Sequence, residues 1–188
     1  MEVVEAIRVL RGEVDNPCSL RFRELCVRLA GLTLTAAGVA SDEGAGERLA
    51  LAALEDGTAM AKGRAWFRSQ GALDDVFEDV RLLPTAPVRR ELRHQGPPGW
   101  LARLDAGIVG AAVVALGGGR QKKEDGIDHA VGIEVFARVG DPIEKGSPIL
   151  VIHAADEASA EAAERMLRPG IQVGTTELPA TLLIHTTL

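Results

Sequence analysis

The N-terminal part of the chain repeats its apolar side chains at intervals of three and four residues. Val3, Ile7 and Leu10 fall on one side of a helix that we expect to end at Gly12. Three longer helices are predicted next, at residues 19–38 with Ser19 as the cap, at 41–54 beginning at Ser41, and at 58–69, followed by a short acidic helix at 74–78. The pattern therefore predicts a layer of four or five helices.

The pattern changes near residue 85, where segments rich in proline and glycine precede residues that alternate as strands do. We predict strands at 100–104, 131–139, 149–153 and 182–187, a buried apolar helix at 106–116, and an amphipathic helix at 156–167 with Asp156 near its cap. These elements predict an α/β (α+β) chain of two domains, a helical one at 1–85 and a mixed one at 86–188.

Charge and composition narrow the range of partners. A formal net charge of −6 argues against an electrostatic nucleic-acid binder, which carries a basic face. No apolar run approaches the roughly 20 residues that span a bilayer, and the N-terminus lacks the layout of a signal peptide. Cys18 and Cys26 lie eight residues apart in a helical stretch, too far for a disulfide. We therefore expect a cytoplasmic protein with reduced cysteines and no membrane contact.

Three sequence blocks occur in a familiar order and spacing. They are EVVEAI at 2–7 with Leu10 and Gly12, LGGGR at 116–120 followed by IDHAVGI at 127–133, and VGDPIEKGSPI at 139–149. Together they resemble the C-terminal portion of the pyrimidine-nucleoside phosphorylase and thymidine phosphorylase family. The second block is the most specific of the three, and the third alone is a weak signal.

The resemblance implies a pentosyltransferase of nucleoside salvage, in which phosphate attacks a pyrimidine nucleoside and releases the base and pentose 1-phosphate. It also implies an N-terminal helical layer followed by an α/β-hammerhead with a barrel-sandwich element, in a homodimeric parent enzyme. The family's phosphate loop and base-binding residues lie upstream of the first block. We therefore assign no catalytic or substrate-binding residue here, expect a missing N-terminal half, and predict that this chain alone is inactive.

Glu5 is the one site residue that the resemblance suggests. It stands where the family has a ligand for a structural potassium ion, while the other family ligands lie upstream. One carboxylate cannot hold an alkali ion, so we expect Glu5 to bind none in this chain. No other cofactor is expected, since phosphate is a substrate. Helices that have lost the sheet they cover should also expose apolar side chains.

Other chemistry-bearing residues have simpler interpretations. The glycines at 117–119 before Arg120 follow a helix, so they meet its carbonyl end and are expected to terminate it rather than bind phosphate. Four residues with potential acid-base or metal chemistry fit no compact ligand motif and are expected to form separate hydrogen bonds: Asp105, Asp128, His129 and His153.

An alternative function comes from residues 140–152, which also resemble biotinyl and lipoyl carrier domains. In those carriers the modified lysine lies at the tip of a different tight hairpin, usually beside Met or Asp, and Lys145 has neither neighbour, which argues against a carrier. A carrier or binding module that reuses the sandwich therefore stays the second hypothesis. Lys122 and Lys123 adjoin two acidic residues and are expected to form a solvated loop.

Overall fold

A computed structural model describes residues 1–14, 16–72, 74–120, 122–179 and 183–184. The chain divides into two compact units, Met1–Leu82, here the helical unit, and Leu83–Leu188, here the mixed unit. The mixed unit combines helices with two antiparallel sheets, so the chain has the α+β character that the sequence predicts. Within the described residues, no helix combines the length and the apolar character needed to cross a membrane.

The helical unit contains four α-helices and two short 3₁₀ helices. Their bounds are α1 Glu2–Arg11, α2 Pro17–Ala36, α3 Glu43–Glu55, α4 Thr58–Ser69, and the 3₁₀ segments Asp74–Phe77 and Val80–Leu82. The predicted stop at Gly12 is confirmed, since this glycine adopts a left-handed conformation with φ of 76°. The prediction for 58–69 is confirmed in full.

The caps of α2 and α3 differ from the predictions. Asn16 caps α2, and its side chain accepts a hydrogen bond of 2.9 Å from the Ser19 backbone N–H, so Ser19 lies inside the first turn. Asp42 caps α3 in the same way, and the Ser41 hydroxyl donates to its carboxylate. In both cases Asn or Asp accepts the orphan N–H of the first turn, which Ser can also do. The sequence alone does not decide between such neighbours.

The close crossing of α2 and α3 depends on two glycines. Gly31 and Gly46 are both buried. A Cβ atom built on Gly46 would lie 2.8 Å from the Gly31 Cα and closer still to the Gly31 carbonyl oxygen. Since any side chain at either position would strike backbone, these glycines set how closely the two helices approach.

The mixed unit contains six strands and two α-helices in its described residues. Their bounds are β1 Val88–Arg93, β2 Gly99–Leu104, α5 Ala106–Ala115, β3 Gly132–Val135, β4 Pro142–Ile143, β5 Pro148–Ala154, α6 Glu157–Leu167 and β6 Ile171–Gly174. The strands form two antiparallel three-stranded sheets, ordered β1-β5-β3 and β4-β2-β6.

The core of the mixed unit is centred on β5. Leu150, Val151 and Ile152 are fully buried in the middle strand of its sheet. One face of α6 contributes Ala160, Ala163 and Leu167 to the buried residues. Asp156 caps this helix in a reciprocal capping box with Ser159, which confirms its predicted start. A strand paired on both sides and covered by a helix explains why β5 reads as a continuous apolar run.

Several predicted elements of this unit change length or exposure. The strand predicted at 131–139 ends at Val135, which is 40% exposed although the alternation placed it inside. The pairing becomes irregular there, since the backbone N–H groups of Phe136 and Ala137 both donate to the carbonyl of Ile149. The helix at 106–116 forms, but half of its residues remain exposed rather than buried.

Three strands were not predicted at all. They are β1, β4 and β6. The first carries four charged residues in six, the second lies inside a segment predicted as a turn, and the third is short. The strand predicted at 182–187 lies outside the described residues apart from 183 and 184.

Candidate functional site

The structure gives separate positions to the four residues with potential acid-base or metal chemistry. Asp105 caps α5 by accepting from the Ile108 N–H at 3.1 Å, and Asp128 accepts from the backbone of Ala130. His153 contacts the Glu134 carboxylate on the neighbouring strand at 2.9 Å. The Ile108 hydrogen bond, and next that from Arg103, lower the pKa of Asp105. Asp105, Asp128 and His153 hold backbone and strands together as the sequence predicts, whereas His129 lies exposed and its predicted hydrogen bond stays a prediction.

Glu5 lies half-buried in the first turn of α1. Its negative charge reaches Cys26 of α2, where burial first and Glu5 second raise the pKa of the thiol. A raised pKa keeps Cys26 protonated and argues against a nucleophilic role. Across the described residues, no group of three or more His, Cys, Asp or Glu side chains could hold a metal ion. The role of Glu5 as a potassium ligand stays a prediction.

The glycine run after α5 ends the helix. Gly117 has φ of 95°, and its N–H donates to the Val114 carbonyl, while Gly118 donates to Val113. The glycine N–H groups therefore satisfy the last carbonyls of α5 instead of pointing at a ligand. The predicted helix termination is confirmed, and Arg120 lies exposed beyond it.

Lys145 lies exposed in the turn between β4 and β5. The turn is closed by Ser147, whose N–H donates to the Glu144 carbonyl and whose hydroxyl accepts from the Glu144 N–H. Gly146, the residue directly after Lys145, has φ of 88°, a conformation that favours glycine. This geometry belongs to an ordinary tight turn between strands.

Two arginine and glutamate networks were missed by sequence reasoning. On one face of the β1-β5-β3 sheet, Glu91 pairs with both Arg89 and Arg93. Hydrogen bonds from Arg89 first, and then from Arg93, lower the pKa of Glu91. Because the charges alternate along a single short strand, the pairing could have been inferred once β1 was recognised.

The second network fastens β1 to α6. Arg90 donates to Glu157 at 2.7 Å and to Glu164 at 3.2 Å, and Glu164 also pairs with Arg168. The hydrogen bond to Glu157 is the main cause that raises the pKa of Arg90. The helix side of this contact is visible in the sequence, since residues 157, 161 and 164 fall on one face of a helix. Its partner on β1 is a tertiary contact.

The helical unit has the most unusual surface. Among the described residues it buries only five apolar side chains below the surface, whereas the mixed unit buries fifteen. Seven of the ten large apolar side chains that remain exposed belong to it: Leu20, Phe22, Leu29, Val39, Leu49, Trp66 and Leu82. Trp66 is 62% exposed and touches Phe67 edge to face. We call these seven residues the exposed apolar set.

The comparison with known families concerns the mixed unit. Residues 100–174 match the family model described as the pyrimidine nucleoside phosphorylase C-terminal domain. The match runs from β2 to the end of β6 and includes both the glycine run after α5 and the turn at Lys145. It supports the family suggested by the second and third sequence blocks, whereas the first block lies outside the match, and it gives no support to the carrier alternative.

Proposed function

Since this chain carries the C-terminal domain of the pyrimidine nucleoside phosphorylases, we propose that it is the structural C-terminal portion of such an enzyme. The enzyme would convert a pyrimidine nucleoside and phosphate into the free base and pentose 1-phosphate, as a glycosyltransferase of nucleoside salvage in the cytoplasm. The chain would act as a scaffold that helps to close the substrate cleft. The reacting groups would come from an N-terminal half, in an enzyme that is a homodimer.

The exposed apolar set carries this proposal. A helical unit of 82 residues whose described part buries five apolar side chains has a thin core for its size. Large side chains such as Leu29 and Trp66 are 49% and 62% exposed, so their apolar surface stabilises the protein only if another surface removes it from water. The N-terminal half is the occupant that the family match supports.

The roles of the polar groups support placing the chemistry elsewhere. Asp42, Asp105 and Asp156 are helix caps, and hydrogen bonds from their first-turn backbone N–H groups are the largest cause that lowers the pKa of each. Carboxylates held ionised as caps are poor general acids. For the finer fold, we propose the α/β-hammerhead with a barrel-sandwich element, supported by the two three-stranded sheets and the family match.

A phosphorolysis assay tests the division of labour. Thymidine and uridine are incubated with phosphate and with this chain, with its reading frame extended upstream, or with this chain mixed with the separately purified upstream part. We expect free base only where the upstream part is present. Turnover by this chain alone would overturn the proposal that its role is structural.

A second experiment tests the covering surface. In the extended protein, Trp66→Glu and Leu29→Glu place a charge where we expect a dry interface, so both should lower activity and loosen the assembly seen by gel filtration. Met166→Glu is the matched control, because Met166 is also exposed, at 38%, but lies on α6 of the mixed unit. Equal activity of all three variants would show that the exposed apolar set is not covered.

A further inference from the structure

A cavity of about 190 Å³ opens in the mixed unit, and strands of both sheets line it. Leu92 at the end of β1, Ile149 of β5, and Ile171 and Val173 of β6 form its apolar part. Leu92 and Ile149 are 3% and 1% exposed, and the other two pack against the core. The cavity therefore has an aliphatic floor that is continuous with the hydrophobic core.

The rim of this cavity is basic and polar. It is formed by Arg93, His94, Gln95 and Arg168, and no carboxylate is among the lining residues. Arg93 and Arg168 are about half exposed, with side-chain accessibilities of 46% and 52%. A basic rim above an aliphatic floor matches a ligand that has a hydrocarbon body and one anionic end.

The pairing of the strands that line the cavity is irregular. The register of β1 against β5 shifts between Leu92 and Arg93, so that Ile149 has no partner across the ladder. A second register shift interrupts the pairing of β2 with β6. It lies between Leu101 and Arg103 of β2, whose partners on β6 are the consecutive residues Val173 and Gln172. Such irregularities bend strands and redirect side chains. Here both walls of the cavity contain one.

The rim arginines are fixed in place yet keep donors to spare. Arg93 donates to the Gly146 carbonyl at 2.6 Å and pairs with Glu91, while Arg168 pairs with Glu164. A guanidinium has five N–H groups, so each arginine retains donors beyond these contacts. Glu91 is shared between Arg89 and Arg93, which leaves that group one net positive charge, whereas Arg168 shares Glu164 with Arg90.

The imidazole of His94, also on the rim, is held by the loop that follows β1. Its Nε2 lies 2.8 Å from the Pro97 carbonyl, and the ring folds back over Gly96. A Cβ on Gly96 would lie 2.9 Å from the His94 Cε1, so this ring position requires a small residue there.

We propose that this cavity binds a small organic carboxylate, with its hydrocarbon body on the aliphatic floor and its carboxylate at Arg93 and Arg168. The cavity volume equals that of about six water molecules, which suits an acid of about four to seven carbon atoms. A sugar phosphate fits poorly, because the aliphatic floor offers no partner for its hydroxyls. Arginine presents paired N–H groups that match a carboxylate.

Binding is tested by NMR titration of the whole chain with benzoate, with benzyl alcohol and inorganic phosphate as control probes. We expect benzoate to shift the methyl signals of Ile149, Ile171 and Val173 in a saturable way, and to bind more weakly as salt is added. Neither control should shift them to saturation. Equal binding of benzyl alcohol would remove the role of the arginines, and no saturable shift with benzoate would overturn the proposal.

Variants separate the charge from the cavity. Arg168→Gln and Arg93→Gln should each weaken benzoate binding about tenfold, the loss typical of one charge-assisted hydrogen bond. Val173→Leu should weaken it by filling the floor while leaving both arginines in place. Arg165→Gln is the matched control, since Arg165 lies on α6 and pairs with Glu161 outside the cavity. Unchanged affinity in the first three variants, or an equal loss in the control, would refute the site.

Discussion

Replacing Gly46 with alanine should force α2 and α3 apart and destabilise the helical unit. The new methyl would lie 2.8 Å from the Gly31 Cα, and backbone atoms cannot rotate away as a flexible side chain can. Overpacking of this kind costs about 1–3 kcal/mol. Alanine offsets about 1 kcal/mol of that through its higher helix propensity. Because the clash is with backbone, we expect the upper end of the cost and a net loss of about 1–2 kcal/mol.

Urea unfolding followed by far-ultraviolet circular dichroism measures this loss. Gly44→Ala is the matched control on the same helix, because its Cβ would meet nothing closer than 3.4 Å. It should be neutral or stabilise the unit by up to about 1 kcal/mol. Gly31→Ala should resemble Gly46→Ala, since its Cβ would lie 2.9 Å from the Glu47 backbone nitrogen. A Gly46→Ala protein as stable as the wild type would refute the close crossing.

Three further predictions concern acid stability, the core and the exposed lysine. Hydrogen bonds from the side chain and then the backbone of Arg81 lower the pKa of Asp79 from 3.8 to about 2. Its stabilising contribution is therefore present above pH 3.8 and lost as the pH falls through 2, and Asp79→Asn should flatten the unfolding profile in that window; an unchanged profile would contradict this. Leu150→Ala should cost about 2–5 kcal/mol in thermal or urea unfolding because Leu150 is fully buried, whereas Val135→Ala should have little effect; similar losses in both would contradict the observed burial. Mass spectrometry of the protein from its native host should find Lys145 unmodified, and a lipoyl or biotinyl adduct there would revive the carrier alternative.

Helix starts show how far local sequence information reaches. The sequence predicts α4 in full, and it predicts α6 with Asp156 at its cap, because periodicity and first-turn hydrogen bonds involve residues close together in the chain. For α2 and α3 it predicts the helix but not the capping residue. Asn16 and Asp42 stand near serines of similar capping preference, and only the backbone conformation decides between them.

Strand pairing shows where local information fails. In β1, charged residues alternate with few apolar ones, so the segment lacks the usual strand pattern. It becomes a strand because the edge of β5 is available and because Arg90 reaches the carboxylates of α6. The same reasoning explains Val135: alternation predicts an inward side chain, but irregular pairing after β3 leaves it exposed.

The sequence alone determined the α+β class, the positions of most helices, and the family resemblance that the match at residues 100–174 supports, since these depend on local periodicity and on motifs in a fixed order. Only the tertiary structure decided the two sheets, the approach of Gly31 to Gly46, the basic rim of the cavity and the thin core of the helical unit. Each of these features depends on how separate helices and strands pack together. Their energies come from burial and contact across elements, which no local pattern records.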